Sequence, residues 1–123
     1  MAQPPQGIIL FAHGSRDPAW RAPIEAVAQR IRALHPQAQV LCAYLEFTAP
    51  DLPAAASALI AAGAQAIAIW PMLLGAGRHA RADLPRLVTA LRQQHPGTTF
   101  TLHPPIAEHP AVLQAMARAA LDG

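Results

Sequence analysis

The apolar positions of the chain alternate between two periods. Gly7-Ile8-Ile9-Leu10-Phe11-Ala12 is an unbroken apolar run, the sign of a strand buried on both faces. From about 18 to 34, Ile24, Val27, Ala28, Ile31 and Leu34 recur at helical spacing, and His35-Pro36 ends that helix. Val40 to Leu45 reads as a second strand. Thr48-Ala49-Pro50-Asp51 then opens a helix in the manner of a capping box, with Leu52, Ala55, Ala56, Leu59 and Ile60 inward and Gly63 as its C-cap.

Ala66 to Trp70 is a third strand. Asp83 is placed to cap a helix with Leu84, Leu87, Val88 and Leu91 inward, stopped by His95-Pro96-Gly97. Thr98 to Leu102 is a short fourth strand. Pro110 starts a last helix carrying Val112, Leu113, Met116 and Ala120 on its inner face.

The order is βαβαβαβα. Strands separated by helices must run parallel, joined by right-handed crossovers. The pattern therefore predicts one domain over residues 1–123: a three-layer α/β/α sandwich around a four-stranded parallel sheet of order 2-1-3-4. In such sheets functional groups collect in the loops that follow the strands. No linker, low-complexity segment or internal repeat is evident.

Composition narrows the class. Of 123 residues 53% are hydrophobic and only 13% charged, which excludes a disordered chain and leaves apolar surface for a partner to cover. No apolar run reaches membrane-spanning length. Met1 to Gly7 lack a basic region and a signal-peptide core, so the cytoplasm is expected. The single cysteine, Cys42, excludes an internal disulfide and reads as a small core residue. All nine basic residues are arginine, the better fork for planar carboxylates, but a net charge of +2 is too small for a nucleic-acid face.

Three loops supply polar groups to one sheet edge. The first carries His13, Gly14, Ser15 and Arg16; the second Glu46 and Thr48; the third runs from Pro71 to His79 and on through Arg81. In a 2-1-3-4 sheet, strands 1 and 3 are neighbours, so His13 and His79 face one crevice with Glu46 to one side. Two imidazoles and a carboxylate suit a first-row divalent metal, and equally suit proton transfer. Arg16, Arg78 and Arg81 around them suit an anionic substrate.

The other histidines read as structural. His35 and His95 each precede a proline at a helix end, His109 precedes Pro110, and His103 closes the fourth strand at the same edge. Trp20 and Trp70 read as packing residues. Gly75-Ala76-Gly77-Arg78-His79-Ala80 matches G-x-G-x-x-A, but no acidic residue follows at the required distance and the preceding loop is too long for a dinucleotide turn. Without lysine there is no phosphate-binding G-K-[ST] loop, so no ATP is expected. His13 lacks the preceding arginine of histidine phosphatases, and Ser15 is in no G-x-S-x-G elbow.

The stretches "ILFAHGSRDP", "AYLEFTAPDLPAA", "WPMLLGAGRHARADLP" and, more loosely, "HPPIAEHPAVLQAM" resemble the small sirohydrochlorin chelatases of the CbiX/SirB type. The resemblance covers nearly the whole chain in the right order. It implies a class II chelatase, a lyase that inserts a divalent metal into a tetrapyrrole without ATP, and a homodimer with its cleft between the subunits. His13 and His79 would bind the metal and Glu46 would assist the metal or take a proton. Arg16, Arg78 and Arg81 would pair with the acetate and propionate arms of sirohydrochlorin, Ser15 would hydrogen-bond them, and Met72-Leu73-Leu74 would face the ring. Cobalt would lead to cobalamin, iron to sirohaem, and nickel to another tetrapyrrole. A non-catalytic metal or tetrapyrrole carrier would present the same groups.

Overall fold

A computed structural model describes residues 7–123; the leader reading over Met1 to Gly7 lies, but for Gly7, outside the described residues. The elements alternate as expected: β1 (Gly7–Ala12), α1 (Ala22–Leu34), β2 (Gln39–Tyr44), α2 (Leu52–Ala61), β3 (Ala66–Pro71), α3 (Arg78–Gln94), β4 (Thr99–Leu102) and α4 (Pro110–Asp122). Short 3-10 turns span Pro18–Arg21 and Ile106–Glu108. The strands are parallel in the order β2-β1-β3-β4.

Strand alternation divides the core. Ile9, Phe11, Ala43, Ile67, Ile69 and Phe100 point to one face and meet Leu52, Ala55, Ala56 and Leu59 of α2 with Leu84, Val88 and Leu91 of α3. Leu10 and Val40 point to the other face and meet Ala28 of α1, with Ile24, Ile31, Trp70 and Met72 packed alongside. The two αβ turns share a device: Arg32 in α1 donates to the Val40 carbonyl at 2.7 Å, and Arg92 in α3 to the Phe100 carbonyl at 2.9 Å. His35 and His95 are the C-cap residues of these helices.

Several boundaries differ from the sequence reading. The first helix is interrupted: Pro18–Arg21 is a 3-10 turn capped by Asp17, and α1 proper starts at Ala22, because Pro23 has no N–H to continue an earlier helix. The cap of α2 is Asp51, whose carboxylate accepts from the Ala54 N–H at 2.9 Å; Thr48 is engaged elsewhere. Gly63, at φ +100°, closes α2 as expected: the Ala64 N–H reaches Leu59 O and the Gly63 N–H reaches Ile60 O, the Schellman pattern.

The larger corrections concern α3 and α4. Asp83 is not an N-cap. The helix begins six residues earlier, after Gly77 as the cap, and carries Pro85 in its interior. Asp83-Leu84-Pro85 imitates an acidic cap followed by a first-turn proline, which is why the earlier turns are hidden in the sequence. The consequence is functional: His79 and Arg81 sit on a helix, not in a loop. In α4 no residue is buried. Leu113 and Met116, expected inward, are 52% and 38% exposed, and the helix packs chiefly on the Ile106–Glu108 turn.

Candidate metal and tetrapyrrole site

β1 and β2 end side by side, and the loops that follow them are joined residue by residue. The Leu45 N–H donates to Ala12 O at 2.8 Å, prolonging the ladder past the last strand residues. His13 Nδ1–H then donates to Glu46 Oε1 at 2.9 Å. Two residues on, Thr48 Oγ1 accepts from the Ser15 N–H at 3.2 Å and donates to Ser15 O at 2.9 Å. Between these contacts the Arg16 guanidinium lies 5.2 Å from the centroid of the Phe47 ring, a cation–π distance.

Gly14 makes this closeness possible. A Cβ there would fall inside the van der Waals shell of the Glu46 carbonyl oxygen and 3.0 Å from Thr48 Oγ1. Phe47 is the centre of a three-residue turn closed by the Thr48 N–H on Glu46 O at 2.8 Å, with φ +65°. That is the backbone sense of the strained γ-turn, a conformation costing of order 1–3 kcal/mol for a bulky residue. The indole Nε1–H of Trp20 donates to His13 O at 2.8 Å, so Trp20 holds the backbone of the site histidine, a role beyond packing that its spacing did not reveal.

The His13–Glu46 pair has a defined chemistry. A carboxylate that accepts from Nδ1–H fixes the imidazole orientation and leaves Nε2 with its lone pair for a metal or a proton. Glu46 Oε2 is buried and accepts no hydrogen bond among the described residues. A shielded carboxylate oxygen without a protein donor can take a water, a cation or a proton.

The third loop approaches the same edge differently from the expectation. The Met72 N–H donates to Phe11 O at 2.7 Å, which keeps this strand against β1 beyond Pro71. Met72 and Leu73 line a cavity of ≈ 210 Å³ with His13 and Trp20. Leu74 is 81% exposed. Ala80 and Asp83 of α3 line the small apolar hollow over His13 together with Leu45 and Leu73. His79, on the first turn of α3, is exposed and lines neither cavity with His13. Among the described residues no three histidine, cysteine or acidic side chains are grouped to hold a metal. His13 and Glu46 are thus brought together, and His79 lies outside the cavities that His13 lines. Arg78 is exposed beside it, and Arg81 lines a separate cavity of ≈ 390 Å³ with Leu84, Pro85 and His103.

The remaining titratable groups are structural. His103 stacks on Trp70 with ring centroids 3.9 Å apart and planes 1° from parallel, and burial pushes its pKa down. His109 accepts from the Ala111 N–H at 3.1 Å through Nδ1 and so caps α4. Burial, with Glu25 adding to it, raises the Cys42 thiol; burial, then Cys42 and Glu25, push the Tyr44 hydroxyl up to about 12.

Fold and edge chemistry together define an α/β protein of the doubly wound kind, with an oriented histidine–carboxylate pair at the carboxyl edge of its sheet, where β1 and β2 end. Residues 7–122 match the CbiX family, and the chain belongs to it. A sirohydrochlorin cobaltochelatase of Saccharolobus solfataricus is 37% identical over 82 residues, 67% of this chain and 62% of that protein. One from Methanococcus maripaludis is 30% identical over 83 residues, 68% and 58% of the two. The matched stretch thus spans about three-fifths of these curated relatives. Among solved structures, a CbiX protein from Marinobacter aquaeolei VT8 superposes with a TM-score of 0.82 at 31% identity, covering 96% of both chains. The sirohydrochlorin chelatase SirB of Bacillus subtilis subspecies spizizenii, in complex with cobalt, gives 0.78 at 24% identity, covering 96% of this chain and 50% of that one.

Proposed function

We propose that this chain inserts a divalent metal, cobalt or iron, into sirohydrochlorin without ATP, acting as a pair of subunits. The observation that carries the reading is the His13–Glu46 pair with its unmatched carboxylate oxygen. Family membership and the names of the curated relatives support the same chemistry.

Insertion must strip water from the metal and remove two protons from the pyrrole nitrogens. His13 offers Nε2 to the incoming metal, held in place by Glu46 and by Trp20 on its carbonyl. Metal binding needs the neutral imidazole, which the Nδ1–H to carboxylate bond leaves with one free lone pair. Glu46 Oε2, which has no protein donor among the described residues, is the carboxylate oxygen left to accept a proton while Oε1 keeps His13. His79 completes the set from α3. Gly75 and Gly77 before it have no neighbours within 4 Å of where a Cβ would stand, and α3 starts without a side-chain cap. A segment with so few contacts can shift toward a bound substrate. Met72, Leu73 and the exposed Leu74 offer apolar surface to a flat ring, and Arg16, Arg78 and Arg81, with the Ser15 hydroxyl, take its carboxylates.

The pairing is supported by α4. An amphipathic helix with Leu113 and Met116 exposed is capped by His109, whose ring lies 6.1 Å from that of the half-buried Trp70, on the side of the sheet covered by α1, where Val27 of that helix is 36% exposed. Covering that face with a second copy buries both surfaces.

The test is visible absorbance of sirohydrochlorin with Co²⁺, Fe²⁺ or Ni²⁺, compared with the spontaneous rate. Acceleration with cobalt or iron is expected; none with any metal contradicts the reading.

A further inference from the structure

Phe47 is held in an unfavourable backbone conformation and gains little burial in return, since 67% of it is exposed. Glycine fits such a turn without strain. The ring forms one wall of a cavity of ≈ 300 Å³ that also receives Arg16, Arg21, Ser15 and Thr48. Two arginines therefore line one hollow, and no acidic residue lines it. Asp17, beside Arg16 in sequence, caps the 3-10 turn, its carboxylate accepting from the Ala19 N–H at 2.9 Å. Ser15 Oγ accepts from the Asp17 N–H at 3.0 Å, which leaves its hydroxyl proton to donate. The cavity abuts the metal site through the rungs that tie Glu46 to His13 and Thr48 to Ser15.

We propose that this hollow is a carboxylate subsite outside the metal centre, in which Arg21 joins Arg16 in forking the acidic arms of a planar polycarboxylate while Phe47 fixes the Arg16 guanidinium. The proposal rests on the tetrapyrrole reading above and adds Arg21 and Phe47 as residues that set specificity by the number of carboxylates. The guanidinium fork matches a carboxylate bidentately, and the aromatic face beside Arg16 limits the positions its head group can take.

The experiment measures quenching of tryptophan fluorescence by two metal-free porphyrins, one with eight carboxylates and one with two. The proteins are the full chain and its Arg21→Gln and Phe47→Gly variants. Wild type is expected to favour the octacarboxylate by about tenfold or more, the size of one charge-assisted pair. Each variant should lose most of that preference with its affinity for the dicarboxylate nearly unchanged. Phe47→Gly should melt no lower than wild type, since glycine relieves the turn. An unchanged preference in both variants overturns the subsite, and so does an equal loss for both porphyrins. Sirohydrochlorin metallation by wild type, run alongside, separates the two claims. Intact metallation without the preference overturns the subsite alone, whereas no metallation and no porphyrin binding removes the tetrapyrrole reading with it.

Discussion

Glu46 Oε1 accepts from His13 Nδ1 at 2.9 Å across 33 residues of sequence, and this one contact binds the ends of β1 and β2 into a single site. Replacing Glu46 by Gln keeps the size and removes the charge. The expected result is a 10- to 100-fold fall in metal affinity or insertion rate, roughly the cost of losing such a partner. Circular dichroism should show the fold unchanged. An insertion rate equal to wild type would remove the carboxylate from the chemistry.

Gly14→Ala should be among the most damaging small substitutions in the chain. Its methyl group has to displace the Glu46 carbonyl, which is backbone and cannot rotate away. A loss of about 1–3 kcal/mol is expected, as for overpacking elsewhere. Urea denaturation reads it, and the melting temperature should fall with it. A variant as stable as wild type would mean that the two loops are not held this closely.

Thr48→Val keeps the shape and deletes the hydroxyl that joins Ser15. Both Ser15 backbone groups then lose a partner in a half-buried position, a cost of about 1–3 kcal/mol. Insertion should weaken mainly through KM, because Ser15 and Arg16 are displaced while His13 is not. An unchanged KM would separate Thr48 from substrate binding.

The pH dependence of stability should include a contribution from His103. Its pKa lies below the unfolded value of 6.5 because burial against Trp70 disfavours the cation. Stability from this neutral ring is complete above pH 6.5 and is lost as pH falls toward the folded value, where the unfolded chain binds the extra proton first. Thermal melts between neutral pH and pH 5 should therefore show a decline that is smaller in His103→Phe. An identical decline in that variant would assign it to other groups.

Leu113→Asp with Met116→Asp on α4 tests the pairing. These side chains are exposed in a single chain, so the folded monomer should survive the change. Sedimentation velocity should show wild type as a dimer and the variant as a monomer with reduced insertion. A wild-type monomer at assay concentration would contradict the shared cleft.

Much of this was legible in the sequence. The strand order follows from apolar runs separated by helical periods, since crossover handedness and the switch point leave few alternatives. His13 stood out because it ends a buried strand. The start of α3 was hidden because Asp83 and Pro85 imitate a helix start, and that start decides where His79 points. The rungs from Ser15 to Thr48 and from Arg16 to Phe47 carry no local signal: they exist because Gly14 lets two backbones meet. The exposure of α4 was equally hidden, since an apolar stripe records that a face is to be covered and not by which chain.

The central claim is that His13 handles the metal. The most direct measurement follows the absorbance of sirohydrochlorin with Co²⁺ in the presence of wild type and of His13→Ala, each against the spontaneous reaction. Wild type should accelerate insertion and His13→Ala should fall by about 10²-fold or more, with its melting curve preserved. Acceleration by His13→Ala equal to that of wild type would contradict the account.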